Sequence, residues 1–443
     1  MARFGECDVV VAGAGFAGLS AADALVREGL TVRVVEARPR VGGRALTRFL
    51  PDGTQLDLGG QWIGPAQRHM ADLVHRHAVR TYPTPSRGAA LIEYGGRRME
   101  ELPAEAAEVL AALDRLARAV PPDRPWSAPG AAGQDGRTFA SWLAATGAPP
   151  AARDLVGRLV SGGLLSAGPT ETSLLETLFY VASGGGTEPL LGYEGGAQET
   201  RFAGGAQHLA ERMAAGLPEG TLRLGQPVEA VEYTPRSARV HTPGGAWDAA
   251  RVVLAVPPVL AGRVRYSPAL PPLRAGLLQR MPAGTALKTQ AVYTAPFWRA
   301  AGLSGVSQSA EGVLTETVDN TPPDAPRAVL TGFAYGAEAV LLRRQAPATR
   351  RRAVLDHLTA LFGEEAGAPD DFVEFDWLAE EWTRGCFSGH LVPGAWTTFG
   401  PSLREPVGPL HWAGTETAVR WNGYFEGAVE SGYRAAEEVR RSL

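Results

Sequence analysis

The chain has 443 residues, of which 45% are hydrophobic and 20% are charged, and its net charge is −4. This length suits two domains, and the composition is typical of a globular protein. The negative charge argues against nucleic acid as the main partner. The sequence contains no run of about 18 apolar residues, so it predicts no membrane span. Cys7 and Cys386 are the two cysteines, too few for a disulfide framework or a Cys-rich metal site, so we expect no metal and a reducing, cytoplasmic compartment.

The chain begins with a complete dinucleotide-binding fingerprint. Residues 8–12 predict a buried strand, Gly13, Gly15 and Gly18 follow in G-x-G-x-x-G spacing, and a second predicted strand ends at Glu36. The first glycine permits a tight turn, the second lets the backbone approach a pyrophosphate, and the third lets helix and strand pack closely. The acid accepts hydrogen bonds from a ribose diol and repels a 2′-phosphate, which disfavours NADP. The pattern predicts a Rossmann-type domain.

The residues after Glu36 separate FAD from NAD. The run EARPRVGGR over residues 36–44 contains Arg38, two adjacent glycines that end at Gly43, and Arg44. Paired glycines allow a second close backbone approach to a pyrophosphate, and Arg44 can neutralise phosphate or contact the isoalloxazine side. The run is similar to the E-x-R-x-R-x-G-G-R sequence of two-dinucleotide-binding-domain flavoproteins, which implies FAD. An ordinary Rossmann turn with a basic loop is the alternative.

The rest of the chain mixes helical and strand patterns. The predicted helices lie near residues 67–77, 151–165, 173–183, 206–215, 349–362 and 425–441. The predicted strands lie at residues 222–224, 228–233, 239–242, 252–256, 288–293 and 328–333. Residues 120–137 are rich in Pro and Gly, which predicts an exposed, mobile loop.

Residues 412–432 form a distinctive C-terminal block, WAGTETAVRWNGYFEGAVESG. A strand precedes a tight turn through Gly414 and Glu416, and a helix is predicted to begin near Gly423. The positive end of that helix dipole could face the flavin pyrimidine edge, where reduced flavin carries negative charge. A plain C-terminal helix that packs on a sheet is the alternative.

With this block in view, the chain resembles the flavin-dependent monoamine oxidase family over nearly its whole length. The shared motifs, besides the C-terminal block, are LDLGGQWIGPAQ at 56–67, GGAQETRFAGG at 195–205, RVVLAVPP at 251–258 and LKTQAVYTAPFWR at 287–299. The chain lacks the C-terminal tail of the membrane-tethered mitochondrial members, so the resemblance implies a soluble, bacterial-type member similar to putrescine oxidases.

The resemblance implies an α/β fold with a Rossmann-type FAD-binding domain and an α+β substrate domain. The FAD-binding domain would be discontinuous, with pieces at residues 1–82, 203–277 and 376–443. The substrate-binding domain would comprise residues 83–202 and 278–375. The resemblance also implies further FAD contacts from the shared motifs, namely Gly60, Gln61, Trp62 and Val228, together with Gly414, Glu416 and Tyr424.

Lys288 is the only lysine in a chain that otherwise uses arginine for its basic residues. A lysine ammonium is compact, and its pKa shifts readily on burial, whereas a guanidinium stays charged. The resemblance implies that Lys288 is catalytic and holds a water against the flavin N5. A leftover surface lysine is the alternative.

The resemblance assigns two more residues to the flavin. Cys386 matches the cysteine that binds the flavin 8α carbon covalently in the mitochondrial enzymes, and Trp377 matches a flavin-proximal tryptophan. Arg384 departs from the mitochondrial pattern, which has Gly at that position. Because many bacterial relatives bind FAD non-covalently, a free buried thiol is the alternative for Cys386.

Four residues are implied to contact the substrate. Phe387 and Tyr424 match the two aromatic rings that sandwich the amine in front of the flavin, although core packing remains an alternative for Phe387. Gln198 matches an amide that lines the cavity. Glu316 lies in LTETVDN, which resembles the E-x-x-D-N-T stretch of bacterial putrescine oxidases, and its carboxylate could bind the second ammonium of a diamine. A solvent-facing or arginine-paired acid is the alternative.

We therefore expect an FAD-dependent amine oxidase that converts an amine to an imine and reduces O2 to H2O2. The expected partners are a small amine and O2, with a homodimer as the expected assembly. An L-amino-acid oxidase, which needs an arginine for the substrate carboxylate, and a natural-product tailoring oxidase or desaturase are alternatives on the same fold. A non-enzymatic interaction module finds no support in the sequence.

Overall fold

Two large β-sheets organise the chain in the computed structural model, which describes residues 3–443. The strands are, in chain order, β1 (Arg3–Ala12), β2 (Val32–Val35), β3 (Thr47–Phe49), β4 (Gln55–Asp57), β5 (Trp62–Ile63), β6 (Thr81–Pro83), β7 (Ala89–Tyr94), β8 (Arg97–Met99), β9 (Thr200–Phe202), β10 (Leu222–Arg223), β11 (Ala230–Tyr233), β12 (Ala238–Thr242), β13 (Gly245–Leu254), β14 (Arg265–Ser267), β15 (Ala283–Gly284), β16 (Ala286–Tyr293), β17 (Leu303–Ser309), β18 (Glu316–Asp319), β19 (Ala328–Tyr335), β20 (Asp371–Asp376), β21 (Cys386–Gly389) and β22 (Leu410–Trp412).

The helices pack around these sheets. They are, in chain order, α1 (Phe16–Arg27), α2 (Arg68–Arg76), α3 (Ala104–Ala117), α4 (Ala131–Asp135), α5 (Phe139–Ala145), α6 (Pro150–Val156), α7 (Leu174–Gly184), α8 (Thr187–Leu191), α9 (Ala206–Ala215), α10 (Pro258–Ala261), α11 (Pro272–Gln279), α12 (Phe297–Ala300), α13 (Gly336–Arg343), α14 (Pro347–Phe362), α15 (Ala395–Phe399) and α16 (Phe425–Ser442). A π-helical segment, Gly157–Leu164, continues α6. Across residues 3–443, none of the helices is long and apolar enough to cross a membrane.

The first sheet has the strand order β10-β2-β1-β13-β12-β11-β14, and β22 pairs with β13. Its centre is parallel, since β1 runs parallel to both β2 and β13. Val9 and Val11 pack with α1 and α16 on one face, while Val10 packs with Trp247 on the other. A parallel sheet is covered on both faces, which explains why β1 reads as an unbroken run of valines. The α/β fold class and the Rossmann unit are confirmed.

Two glycine loops meet at the carboxyl end of β1. Gly13 has a left-handed φ of +102°, and a Cβ at Gly18 would lie 1.9 Å from the Gly13 carbonyl oxygen. A Cβ at Gly43 would lie 3.2 Å from the Gly15 Cα. The two loops therefore approach each other more closely than side chains would permit, and they leave backbone surface open beside the N-terminus of α1.

The second sheet has the order β20-β16-β19-β18-β17-β7-β8, with all neighbours antiparallel except β17 and β7. Lys288 of β16 lies opposite Phe333 of β19, which lies opposite Glu316 of β18. Residues directly opposite each other share one face of a sheet. The register therefore aligns an amine, an aromatic ring and a carboxylate on one face, while Leu287 and Leu330 pack on the opposite face with α14.

The twelve predicted helices and strands are all present, with shifts at their ends. Many of residues 120–137 are exposed, as predicted, but the segment is not an irregular loop throughout. It contains α4, and Asp135 is fully buried. The Asp135 carboxylate accepts hydrogen bonds from the Thr397 backbone N–H and hydroxyl, both at 2.9 Å, which offset the cost of its burial. The predicted domain limits stay a prediction.

Replacing Gly18 with Ala should destabilise the fold, because the added Cβ would lie 1.9 Å from a backbone oxygen that cannot move freely. We expect a loss of about 2–4 kcal/mol in the free energy of unfolding, measured by urea denaturation. The control is Gly133→Ala in α4, where a Cβ meets nothing within 4 Å. That change should stabilise by about 0.5–1 kcal/mol, since Ala loses less entropy in a helix. Equal stability of the two variants would contradict this packing.

Candidate active site

One cavity, here called the central cavity, extends from the glycine loops to the segment around Cys386. It brings together many of the predicted site residues. The predicted residues that line it are Gly13, Gly15, Glu36, Arg38, Gly43, Arg44, Gly60, Val228, Cys386, Phe387, Gly414 and Tyr424. Gly18 instead packs α1 against the turn, and the other predicted residues lie behind this lining or on the second sheet.

Glu36 marks one end of the central cavity. Its two carboxylate oxygens accept hydrogen bonds from the Ala14 N–H at 2.7 Å and from the Arg38 N–H at 2.9 Å. Each oxygen keeps a second lone pair, so the buried carboxylate can still accept from the two hydroxyls of a ribose. The Arg38 guanidinium lies 3.2 Å from Glu380, so its charge is balanced within the protein.

Arg44 and Glu416 form an ion pair at the wall of the central cavity. The guanidinium donates two hydrogen bonds to the carboxylate, at 2.7 and 3.2 Å, and a further one to the Phe387 carbonyl. Glu416 also accepts from the Gly389 N–H at 3.1 Å. Arg44 is therefore neutralised by Glu416, and the pair fixes the strand that carries Cys386.

Lys288 is buried directly behind the cavity lining. Its ammonium donates to the Gly59 carbonyl at 2.9 Å and to the Gln61 side-chain oxygen, on either side of the cavity-lining Gly60. The Nζ atom lies 5.1 Å from the centre of the Phe333 ring. Burial disfavours the charged form and lowers the pKa of Lys288 to about 7, an effect that Asp57 opposes.

Trp377 and Trp62 flank the same segment. The Trp377 indole N–H donates to the Leu58 carbonyl at 2.8 Å, which ties the tryptophan to the residue before Gly59. The Trp62 ring packs 6.0 Å from Phe333 and 6.5 Å from Tyr193, measured between ring centres. Both tryptophans therefore support the backbone next to Lys288.

A buried polar network behind Lys288 had no signal in the sequence. The Gln61 amide donates to the Asn320 side chain at 2.6 Å, Arg201 donates to the Asn320 carbonyl at 2.7 Å, and Arg201 pairs with Asp57 at 2.7 Å. These residues come from three distant parts of the chain, so only the tertiary fold assembles them. Their effect is to hold Gln61, and with it Lys288, in one position.

Glu316 lies on the same sheet face as Lys288, beyond the Phe333 ring. It accepts a hydrogen bond of 2.5 Å from the Tyr335 hydroxyl, and burial raises the pKa of its carboxyl to about 7, while the Lys288 charge opposes this rise. The Tyr335 ring packs 5.4 Å from Phe387. Tyr335 thus links the acid to the ring that lines the central cavity. In the sequence, only its position two residues after Phe333, which places both on one face of a strand, indicated that Tyr335 lies here.

Gln198 and Tyr424 meet at one backbone oxygen. The Gln198 amide donates to the Leu190 carbonyl at 3.0 Å, and the Tyr424 hydroxyl donates to it at 3.2 Å. The Gln198 side-chain oxygen is buried and has no hydrogen-bond partner within residues 3–443. Trp421 packs edge-on against Tyr424 at 5.4 Å. These contacts fix the Tyr424 ring at the wall of the central cavity.

Cys386 is a buried free thiol that lines the central cavity. Burial raises the pKa of the thiol to about 12, and the charges of Arg44 and Lys288 oppose this rise. The thiol is therefore protonated at neutral pH. Arg384 and Phe387, on either side, have left-handed φ values of +55° and +54°.

The residues present fit FAD. The glycine cradle accommodates a pyrophosphate next to the N-terminus of α1, Glu36 can accept from a ribose, and aromatic rings line the far end of the same cavity. Thr383 and Arg384 also line it and each keeps a buried polar atom without a partner in the described part of the chain. Together the sheet topology and the cavity define a two-dinucleotide-binding-domain flavoprotein.

Comparison with known proteins identifies the family. The family model described as flavin containing amine oxidoreductase matches residues 16–440. A Mycobacterium tuberculosis protein, AofH, named as a flavin-containing monoamine oxidase, is 37% identical over 98% of this chain and 97% of its own length. Putrescine oxidase of Kocuria rosea is 36% identical over 98% of this chain and 95% of its own length.

A solved structure is also similar to this chain in fold and sequence. Cyclohexylamine oxidase from Brevibacterium oxydans has a TM-score of 0.94 and is 35% identical, over 98% of this chain and 99% of that chain. The chain belongs to the flavin containing amine oxidoreductase family. It is an FAD-dependent amine oxidase that oxidises an amine to an imine and reduces O2 to H2O2.

The pKa of Lys288 can be measured directly, because a chain with one lysine gives one signal after labelling with [ε-15N]lysine. We expect the folded chain to titrate near pH 7, with the neutral amine above that pH, since burial disfavours the ammonium. The same chain in urea should titrate near the unperturbed value of about 10.4. An unshifted midpoint in the folded chain would show that burial does not disfavour the ammonium at this position.

Proposed function

We propose that this amine oxidase acts on a diamine and that Glu316 binds the ammonium distant from the reacting carbon. The observation that carries the proposal is the register of the second sheet, which places Glu316 on the face that also carries Lys288 and Phe333. Tyr335 and Tyr193 surround the carboxylate with aromatic surface. A carboxylate in such surroundings favours a cation over a neutral alkyl end.

The reacting amine would lie between Phe387 and Tyr424. Both rings line the central cavity, and hydrogen bonds and ring contacts fix Tyr424. FAD, when bound, supplies the acceptor for the equivalent of a hydride from the carbon next to nitrogen. We assign to Lys288 the holding of a water at the reacting edge, because its amine is buried and largely neutral above pH 7. Gln198 lies beside Tyr424, since both side chains donate to the Leu190 carbonyl.

The charge of Glu316 argues against the L-amino-acid oxidase alternative. An α-carboxylate requires a cationic partner such as arginine. A carboxylate at the far end of the site instead repels a second carboxylate and attracts a second ammonium. One relative is named a putrescine oxidase, and putrescine is a diamine. A homodimer and a cytoplasmic location stay predictions.

The first experiment compares H2O2 release from putrescine, benzylamine, phenethylamine and a set of L-amino acids. We expect the highest kcat/KM with putrescine, because only a diamine places a charge on Glu316. A preference for the aryl amines would make Glu316 a structural acid. Bleaching of the flavin by none of these compounds would point to a dedicated biosynthetic substrate.

Replacing Glu316 with Gln should lower kcat/KM for putrescine by about 10- to 100-fold, equal to about 1.4–2.8 kcal/mol, and leave benzylamine nearly unchanged. The pKa of Glu316 is raised to about 7, so the free carboxyl loses its charge as pH falls through 7. In the wild type, the ratio of kcat/KM for putrescine to that for benzylamine should therefore rise with pH through this range.

The same ratio should be independent of pH in Glu316→Gln. The control is Glu364→Gln, which changes an exposed acid far from this sheet face and should retain the wild-type profile. If the ratio for Glu316→Gln matched that of the control, the distal-ammonium site would be rejected.

We also propose that Cys386 attaches the flavin covalently, supported by the position of its thiol in the wall of the central cavity. Acid precipitation should then leave the flavin on the wild-type protein and on Cys7→Ala, while Cys386→Ala should release it. Because burial raises the pKa of the thiol, attachment to added FAD should be faster at pH 9 than at pH 7. Release of flavin from all three proteins would establish non-covalent binding.

A further inference from the structure

Arg384 occupies a backbone conformation that favours glycine. Its φ is +55°, and its N–H donates to the Glu380 carbonyl at 2.8 Å, which closes the turn over residues 380–384. A residue with a Cβ is sterically disfavoured in this left-handed region. A large charged residue at such a position suggests that its side chain supplies something that glycine could not.

Arg384 lines the central cavity, and among residues 3–443 its side chain has no hydrogen-bond or ion-pair partner. Its Nε atom is shielded from solvent and has no hydrogen bond, and within residues 3–443 no carboxylate lies within 4 Å of its guanidinium. Three other arginines line the cavity: Arg38 pairs with Glu380, Arg44 pairs with Glu416, and Arg263 is exposed to solvent. In the described part of the chain, Arg384 therefore brings to the cavity a guanidinium that has no ion-pair partner.

The turn that carries Arg384 connects the two ends of the cofactor site. Glu380 pairs with Arg38, which follows the ribose-binding Glu36, and Cys386 lies two residues beyond Arg384. In FAD, the pyrophosphate stands between the adenosine ribose and the flavin. A side chain from this turn is thus placed beside the two negative charges of the pyrophosphate.

We propose that Arg384 binds the FAD pyrophosphate and that this contact offsets the cost of its left-handed backbone. The glycine cradle supplies N–H groups to one side of the phosphates, and the Arg384 guanidinium supplies the charge from the opposite loop. A phosphate oxygen that accepts from Nε would remove the cost of burying this donor without a partner.

Three variants separate charge from backbone strain. Arg384→Gln removes the charge but keeps a side chain on a left-handed backbone, whereas Arg384→Gly removes both the charge and the strain. The matched control is Ala78→Gly, which relieves a left-handed φ of +52° at an exposed position away from the cavity. All three are made in a Cys386→Ala background, so that FAD stays exchangeable, and the full chain is purified with FAD.

FAD release on dilution should give a Kd raised about 10- to 100-fold in both Arg384 variants and unchanged in Ala78→Gly. The increase of Kd with NaCl should be shallower in the Arg384 variants, because one charged contact is absent. In saturating FAD, Arg384→Gly should melt about 2 °C above Arg384→Gln, since only glycine relieves the strain. A wild-type Kd in Arg384→Gln, or an unchanged salt dependence, would overturn the proposal.

Discussion

The hydrogen bonds of Lys288 join the second sheet to the wall of the central cavity, and the geometry of the site depends on them. The amine reaches from β16 to the Gly59 carbonyl and to Gln61, and Gly60 between them lines the cavity. The lysine is buried, so the loss of either acceptor would leave a buried donor without a partner. An arginine would carry a permanent charge and a larger planar head into this space, which explains why a chain rich in arginine uses lysine here.

The fold was predictable because the signals for it are local. The glycine spacing, the valine run of β1 and the acid at Glu36 lie within one short segment, and each has a direct physical role. The residues that line the cavity were predictable where they belong to such motifs, as Gly43 and Gly414 do. The prediction of a loop at residues 120–137 missed the buried Asp135, because composition gives no indication that its carboxylate would accept a hydrogen bond from the distant Thr397.

The residues that support the site could not be predicted either, because their contacts join segments that are distant in the sequence. Asn320, Arg201 and Asp57 act on Lys288 only through contacts between distant segments. Tyr335 could be placed near Glu316 only once the strand register was known, because a slip of one residue would move it to the opposite face. Sequence patterns therefore identified many of the residues that line the central cavity, and the tertiary structure identified the residues that position them.

Lys288 and Glu316 both have a pKa near 7 and lie on one sheet face, so their protonation is linked. An ionised Glu316 favours the ammonium form of Lys288, and a charged Lys288 favours the carboxylate form of Glu316. A cation bound at Glu316 keeps the carboxyl ionised but cancels its field at Lys288, which favours the neutral amine there. Since linkage is reciprocal, a neutral Lys288 also strengthens the attraction of the site for that cation. The charge of a substrate bound at Glu316 would thus favour the neutral form of Lys288, beside the larger effect of burial.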